Sequence, residues 1–453
     1  MTFYFYFSDM IHSFKQFANT LERPKPTQRA VLDLKLKTMR ESFIQQFILL
    51  KSDPFTKELY ISGNKQMRLS KLLENLDALA AAISYRHLDD GKIMKKDSTM
   101  SVSIVTASVD RIDLITMPTF NMDMKIHGHV SYVGHSSMEI TLHIVHIQYK
   151  DGYKLPELSD FDDTSIPIYT AASPESSDIL TRVYLDSGNS KIEQVNRNIA
   201  KLIPVLTAKF TMVARCVYSN LPVQVHPLKL RNEKEQVLFN KGAELRQIKK
   251  LQNQKSLLNM PPTNEELKNI HDLFIQDLSG NLLHAISRTN DANKCYMKNT
   301  ILETTSVTFP QDRNVHNFIF GGYLLKSAFE LAMVTAMLFA QVQLVDFMAM
   351  DDIWFRKGVP VGSILRFTSC VIYNVPPHER QTIPNKFKDA FQVQVVADVC
   401  TNNVFDTTNV FHFTFKPTEH VELRYIVPES YQESMLYLTG KRTFEQGIQH
   451  STK

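Results

Sequence analysis

A pair of glycines, Gly321 and Gly322, opens an apolar run whose later residues repeat at helical spacing. Glycine in a helix costs about 1 kcal/mol relative to alanine, so a pair at this position needs a physical reason. The first turn of a helix carries unpaired N–H groups and the positive end of the helix dipole, and glycine lets an oxygen atom approach them closely. The pair therefore suits an amide-lined cradle for a carbonyl oxygen. The simpler interpretation is a turn or a close packing point.

Two polar residues could work with such a cradle. Asn314 lies shortly upstream of the glycines, and Asn317 is the alternative for the same position. Asp77 lies far away in the sequence, between Leu76 and Leu79 of another apolar stretch. A carboxylate in such surroundings is a candidate general base, although residues of this kind are more often capped, ion-paired or turned to solvent.

The spacing of apolar residues predicts the helices and strands that carry these residues. The stretch 69–87 has apolar residues three and four apart, which predicts an amphipathic helix. Three β-rich stretches, an acidic Pro- and Ser-rich segment and a further strand follow it. The next region is polar and helical in spacing, and Thr263 with Glu266 predicts a capping box at a helix start.

After that region the first pattern returns, with one helix and then four strand-like stretches. The segments "VDRID" (109–113) and "MDDIW" (350–354) fall at equivalent points after the two helices. We infer an internal duplication of about 250 residues. A helix that is apolar nearly all round should lie against a sheet that wraps it, so each half is predicted to adopt the hotdog arrangement.

The predicted fold is therefore α+β, a double hotdog whose two repeats of a long central helix and an antiparallel sheet are joined by a helical linker. The predicted boundaries, read from the sequence, are an N-terminal extension at 1–50, a first hotdog domain at 51–217 with an insertion at about 150–202, a helical linker at 218–292, a second hotdog domain at 293–418 and a C-terminal tail at 419–453.

Composition narrows the classes of function. A net charge of +4 over 453 residues is too slight to indicate a nucleic-acid binder and is compatible with a small anionic ligand. The four cysteines are scattered without a CxxC motif, which indicates reduced thiols and speaks against a zinc site. No window of eighteen apolar residues is evident, so no transmembrane helix and no stable membrane insertion are predicted. His127 and His129 share a strand face, but no carboxylate or cysteine completes a metal-ligand set.

Seven stretches resemble the tandem-hotdog acyl-CoA thioesterases: "RLSKLLENLDALAAAISYRH", "SIVTASVDRIDL", "GHVSYVGHSSMEI", "FTMVAR", "RNVHNFIFGGYLLKSAFELA", "NVFHFTF" and "ESMLYLTGKR". They occur in family order over most of the chain. The resemblance implies hydrolysis of fatty acyl-CoA to free fatty acid and CoA, without a cofactor. It also implies a homo-oligomer, a trimer of double-hotdog chains, in the mitochondrial matrix. The N-terminal segment has more basic than acidic residues, which is compatible with a degenerate presequence. A cytoplasmic location is the alternative.

The resemblance also assigns roles by register. The family carries an Asn or Gln six residues before the position preceding the Gly pair, which is Asn314, and an acid seven residues after the second glycine. The second half has Phe329 at the acid position, with Glu330 one residue late. The first half has Asp77 at that position but Leu69 and Ser70 in place of the glycines, and Ser62 in place of the Asn.

The two halves therefore complement each other, and one active site per chain is predicted. Asp77 is the expected general base, Asn314 orients the water or the thioester, and the Gly321 amide binds the carbonyl oxygen. Direct attack by Asp77 through an anhydride is the alternative mechanism. The expected substrate-binding residues are Gly322, Arg313, Arg356 and Lys357, the cationic ones towards the CoA phosphates. The alternative function is a non-catalytic acyl-CoA-binding or regulatory protein.

Overall fold

The computed structural model describes residues 34–89, 102–153, 166–167, 182–185, 195–216, 219–254, 257, 260–278, 293–314, 318–401 and 404–451. Asn317, the expected presequence up to residue 33 and much of the expected insertion lie outside these residues. The helices are Pro54–Tyr60 (α1), Leu69–Leu88 (α2), Glu233–Gln254 (α3), Asn264–Leu278 (α4), Gly321–Ala340 (α5) and Tyr431–Ser451 (α6). The strands are Ile44–Ile48 (β1), Val102–Val109 (β2), Ile112–Leu114 (β3), Asp123–Val133 (β4), Ser137–Tyr149 (β5), Ile166–Pro167 (β6), Arg182–Leu185 (β7), Ile199–Cys216 (β8), Lys294–Tyr296 (β9), Leu302–Val307 (β10), Val345–Met350 (β11), Ile353–Trp354 (β12), Ile364–Asn374 (β13), Phe391–Thr401 (β14), Val404–Pro417 (β15) and Tyr425–Val427 (β16).

Within the described residues, one antiparallel sheet accounts for most of the strands and confirms the predicted α+β class. Its order is β10-β13-β14-β15-β11-β3-β8-β5-β4-β1-β7-β6, with β2 paired to β8 and β12. The two halves of the sheet join where β11 pairs with β3 (Ala349 opposite Asp113) and β12 pairs with β2 (Ile353 opposite Val109). The segments "VDRID" and "MDDIW" thus meet each other at the centre of the sheet.

Two local backbone features occur around both central helices. Before α2, Ile61 and Met67 form an isolated antiparallel bridge, and before α5, Arg313 and Ile319 form the same bridge. After each helix, the first long strand has a register shift in its pairing, between Thr106 and Ser108 in β2 and between Phe347 and Ala349 in β11. Each half therefore builds its helix, the loop before it and the strand after it in the same way.

The two central helices pack against each other as well as against the sheet. Three polar residues of α2, Ser70, Glu74 and Asp77, are buried there. They are four and then three residues apart in the sequence, so they lie on the same face of the helix. Glu74 and Lys326 face each other across this contact at 3.6 Å. The α2–α5 contact therefore carries polar groups inside an otherwise apolar core.

Helix α5 corrects the expectation about membrane segments. By length and composition it could cross a membrane, since its most apolar 18-residue window has a mean hydropathy of 1.4. Half of that window is buried against the rest of the protein. A core helix covered by a sheet on one side and another helix on the other is apolar over most of its surface, which accounts for this hydropathy.

Regular secondary structure also occurs in the segments predicted as the N-terminal extension, the insertion and the linker. Strand β1 lies in the predicted N-terminal extension and pairs with β4 and β7, while β8 begins inside the predicted insertion. In the predicted linker, Thr263 and Glu266 form the expected capping box, and Glu266 also accepts hydrogen bonds from Arg442 of α6. Helix α3 packs on β4, where the rings of Phe239 and Tyr132 have centroids 4.9 Å apart.

Candidate active site

The Asp77 carboxylate is held between β2 and the start of α5. Asp77 is 1% exposed, and Thr106 of β2 donates a hydrogen bond to Oδ1 at 2.8 Å. The other oxygen, Oδ2, makes no hydrogen bond of good geometry within the described residues. It faces Gly321, where a Cβ would lie only 3.0 Å from it. One oxygen is thus anchored, and the other is directed at the first turn of α5.

Burial raises the pKa of Asp77 to about 6, because an ionised carboxylate loses its hydration there. The Thr106 hydrogen bond and the nearby Gly322 amide oppose this effect, while the Glu74 carboxylate adds to it. A carboxyl group with this pKa is ionised at neutral pH and is basic enough to take a proton from water during a reaction.

The glycine pair has two different structural roles. Gly321 leaves room for the Asp77 carboxylate and for the Phe355 ring, which would lie 3.0 Å and 3.3 Å from an added Cβ. Gly322 allows α5 to approach the backbone of α2, since its Cβ would lie 3.0 Å from the carbonyl oxygen of Glu74. Close packing and an amide cradle were alternative predictions for the pair, and in the structure Gly322 is a packing point while Gly321 adjoins the acid.

The first turn of α5 is positioned by the loop that carries Asn314. The Asn314 amide donates to the Phe318 carbonyl at 2.7 Å, and its side-chain oxygen accepts from the Phe318 amide at 3.3 Å. Phe320, at the N-cap position, makes no side-chain hydrogen bond to the first turn. Asn314 therefore holds the loop that leads into the glycines, and the side chain near the first-turn amides of α5 is that of Asp77 rather than an N-cap residue.

The three expected cationic residues lie in the segments on either side of Gly321. Arg313 is half-buried in the loop before α5, and its backbone bridges to Ile319. Arg356 and Lys357 are exposed and follow Phe355 directly in the chain. Lys357 pairs with Asp406 at 2.6 Å. The charge of Lys357 is therefore partly balanced within the protein.

The equivalent position in the other repeat has no comparable chemistry. Phe329 occupies the place of Asp77 and packs edge to face on Phe347, with centroids 5.2 Å apart. At the start of α2, the Glu330 carboxylate accepts hydrogen bonds from Ser70 at 2.8 Å and from Arg68 at 2.7 Å. Glu330, one residue after the expected acid position, is thus engaged in an ion pair at the start of α2 rather than placed beside Asp77.

Thr106 is the site residue that sequence reasoning missed. The signal was present in the alignment of "VDRID" with "MDDIW", because Thr106 stands three residues before Val109 and Phe347 stands three residues before Met350. The polar pair of Asp77 and Thr106 is therefore replaced as a pair, by Phe329 and Phe347.

The histidines of β4 and β5 do not add a metal centre to this site. His127 stands opposite His143, with ring centroids 5.4 Å apart, and burial lowers the pKa of His127 to about 3. Among the described residues, no group of three or more His, Cys, Asp or Glu side chains could hold a metal ion.

Comparison with known proteins gives relatives over nearly the whole chain. The sequence is 33% identical over 414 residues to acyl-coenzyme A thioesterase 9, mitochondrial, of Bos taurus, covering 90% of this chain and 78% of that protein. It is also 33% identical over 413 residues to the Homo sapiens protein of the same name, with the same coverage. Among solved structures, an acyl-CoA hydrolase from Staphylococcus aureus in complex with butyryl-CoA and CoA covers 35% of this chain and 93% of its own, with 24% identity and a TM-score of 0.31. No family model matches the sequence.

Proposed function

Because the chain belongs to the acyl-coenzyme A thioesterase family, we propose that it hydrolyses acyl-CoA to a free acid and CoA at one composite site between its two repeats. The observation that carries the composite site is the approach of the buried Asp77 carboxylate to Gly321, which come from different repeats. The family relationship supports the reaction type, and this contact supports the assignment of the residues.

The architecture proposed for this reaction is a double hotdog. Each repeat contributes one long central helix, α2 or α5, and the part of the antiparallel sheet that follows it. Helices α3 and α4 form the linker between the repeats. The equivalent loop bridges and register shifts of the two halves support this division.

In the proposed mechanism, Asp77 acts as a general base. Oδ2 accepts a proton from a water molecule while the water oxygen attacks the thioester carbonyl carbon. The negative charge that develops on the carbonyl oxygen is stabilised by the Gly321 amide and the positive end of the α5 dipole. When the tetrahedral intermediate collapses, the carbon–sulfur bond breaks and the CoA sulfur leaves as a thiolate, which takes up the proton from Asp77.

The surrounding residues position these groups. Thr106 holds Oδ1, so that Oδ2 keeps its direction towards α5. Asn314 fixes the loop before the glycines and orients the water or the thioester. Arg313, Arg356 and Lys357 are assigned to the CoA phosphates. Gly322 packs on α2 through its Cα, and its amide, which lies near Asp77, is assigned to substrate binding. Since Asp77 is 1% exposed and the Phe355 ring lies against Gly321, substrate entry requires the Phe355 side chain to move.

The test is CoA release from a panel of acyl-CoAs by wild type, Asp77→Asn and Glu330→Gln. Loss of about 10²-fold or more in Asp77→Asn, with Glu330→Gln near wild type, supports the assignment. Activity retained in Asp77→Asn and lost in Glu330→Gln would show that the register is wrong by one residue. A single turnover in ¹⁸O-water tests for an anhydride that water opens at the Asp77 carbon, because only that route leaves label in the Asp77 carboxylate, whereas general-base catalysis puts it in the free acid.

A binding protein without turnover is the second candidate, and Phe355 over the site is the observation that favours it. No CoA release by wild type across the panel, together with stable acyl-CoA binding, would establish that candidate. We also infer a mitochondrial location, in the matrix, from the relatives named mitochondrial, and assembly of the chains into trimers. Organelle fractionation and light scattering of the purified full chain test these two inferences.

A further inference from the structure

The structure has a cavity beside the start of α2, and its lining does not include Asp77, Thr106 or Gly321. It measures about 240 Å³ and adjoins Phe329, which stands at the place of Asp77 in the other repeat. Its walls come from both repeats and are mainly apolar, with Met67, Leu69, Met117 and Phe120 on one side and Met333 and Phe347 on the other. We propose that this cavity is a second, non-hydrolytic site that binds an alkyl chain with an anionic head group.

The lining of the cavity suits an alkyl chain. Three of its side chains, Met67, Met117 and Met333, are methionines, whose flexible thioethers adapt to chains of different shape. The cavity is smaller than the roughly 300–1,000 Å³ of typical ligand sites, which favours a short or medium chain. Met117 is 45% exposed, so the cavity reaches the surface on this side.

The same cavity cannot hydrolyse a thioester. Phe329 and Phe347 replace the acid and the threonine of the proposed active site. The amides at the start of α2 lie beside the Glu330 carboxylate, which Ser70 and Arg68 hold in place. A carbonyl group bound there would meet a carboxylate that Arg68 and Ser70 already engage, in place of the partly unpaired carboxylate of Asp77. A ligand in this cavity is therefore retained rather than consumed.

The mouth of the cavity supplies cations for a head group. Lys65 lines the cavity itself, and Phe120 is shared with an adjoining surface pocket of about 490 Å³ that Lys51 and Lys57 line. The Lys57 ammonium lies 5.6 Å from the centre of the Phe120 ring. An alkyl chain seated beside Phe329 would thus place its head group near several lysines, which suits a carboxylate or the phosphates of CoA.

Two carboxylates around the pocket, Asp53 and Asp123, form hydrogen bonds rather than ion pairs with these lysines in the part of the chain that the structure describes. Asp53 caps α1, accepting hydrogen bonds from the Phe55 and Thr56 amides at 3.2 and 3.1 Å. Asp123 accepts from the Lys51 amide at 2.8 Å and from the Ser52 hydroxyl at 2.6 Å. Both carboxylates are thus used in fixing the backbone around the pocket.

The inference uses the pseudo-symmetry of the proposed function, but its test does not depend on catalysis. Calorimetric titration of the full chain with the thioether analogue of octanoyl-CoA, which cannot be hydrolysed, is expected to give two bound ligands per chain. Met117→Trp fills the exposed side of the cavity and should reduce this number to one. Lys57→Glu should weaken the second site at least fivefold. Both variants should keep CoA release within twofold of wild type.

Two further titrations identify the source of the alkyl chain. If octanoate binds at one site and Met117→Trp removes it, the free acid is a ligand of the cavity. If only the thioether analogue binds there, the ligand is an acyl-CoA. A single analogue site in wild type that Met117→Trp leaves unchanged would overturn the proposal, and so would binding of CoA alone at the Met117-dependent site. Failure of the proposed hydrolysis gives a different result, since one Met117-dependent site would remain in a chain that releases no CoA.

Discussion

The rings of Phe329 and Phe347 meet edge to face, with centroids 5.2 Å apart, at the positions that Asp77 and Thr106 occupy in the first repeat. The same backbone frame thus holds a hydrogen-bonded polar pair once and an aromatic pair once. In the aromatic version, Phe329 also contacts Phe413 and Phe415, at 5.5 and 5.9 Å. The position of Asp77 and Thr106 therefore has the composition of a reactive site, and the equivalent position of Phe329 and Phe347 has that of a hydrophobic core.

The raised pKa of Asp77 predicts how hydrolysis depends on pH. A general base works only when ionised, so kcat/KM should rise with pH and reach half of its plateau near pH 6. Thr106→Val removes a hydrogen bond that lowers this pKa, and the midpoint should therefore move to higher pH. The measurement is kcat/KM for one acyl-CoA between pH 5 and pH 9 in both proteins. Ser108→Ala, two residues along the same strand, is the control and should keep the wild-type midpoint.

The raised pKa of Asp77 also predicts that its ionised carboxylate lowers the stability of the folded protein. Folded Asp77 binds a proton more tightly than unfolded Asp77, so its contribution to stability falls as pH rises from about 4 to about 6 and stays low above that range. Asp77→Asn should therefore stabilise the protein at pH 8 by on the order of 2 kcal/mol, and much less at pH 4. Urea unfolding at both pH values measures the difference. An equal effect at both values would mean that Asp77 is not buried in its charged form.

The glycine pair should separate activity from stability. In Gly321→Ala, the new methyl group comes 3.0 Å from the Asp77 carboxylate, which can shift, so hydrolysis should fall by about tenfold or more while the fold is kept. In Gly322→Ala, the methyl group meets the backbone of Glu74 at 3.0 Å, where nothing can shift easily, and the helix pair should lose about 1–3 kcal/mol. Thermal unfolding and CoA release, measured on both variants, test this contrast. Equal losses of activity at equal stability would contradict it.

The sequence predicted the features that depend on local pattern. The apolar spacing of α2 and the Gly pair of α5 located both central helices. The register implied by the family resemblance, counted from Ser70, selected Asp77, whose carboxylate lies beside Gly321. Thr106 was missed because its direction depends on the register shift in β2, which no local pattern announces.

Other features depend on pairing partners that are distant in the chain. Strand β1 was assigned to a terminal extension, because five residues carry too little pattern to reveal that they pair with β4. The packing role of Gly322 required knowledge of which helix lies against α5. The hydropathy of α5 likewise reflects its two covered sides, which the sequence alone cannot show.

The contact between the two repeats offers a prediction about a buried ion pair. Arg111 of the first repeat contacts Asp351 of the second, and its guanidinium also pairs with Asp113 at 2.8 Å. Burial raises the pKa of Asp351 to about 7, while Arg111 opposes this shift. Arg111→Met should cost about 3–5 kcal/mol of stability, and more at pH 8 than at pH 6, because Asp351 is left buried and charged. Asp351→Asn in the same chain should recover much of the loss. Urea unfolding of both variants at the two pH values tests this.

The aromatic pair itself offers the last prediction. Phe329 is 2% exposed, so Phe329→Ala should destabilise the protein by about 3–5 kcal/mol, whereas Phe329→Leu should cost much less. Hydrolysis at 15 °C by the folded fraction should stay near wild type in both, since Phe329 lies with Leu69 near the start of α2 and Asp77 lies beside Gly321 at the start of α5. Unfolding curves test the predicted loss of stability, and CoA release from the same preparations tests the predicted retention of activity. A loss of activity in Phe329→Leu at unchanged stability would place the reaction beside Phe329, and the assignment of Asp77 would then fail.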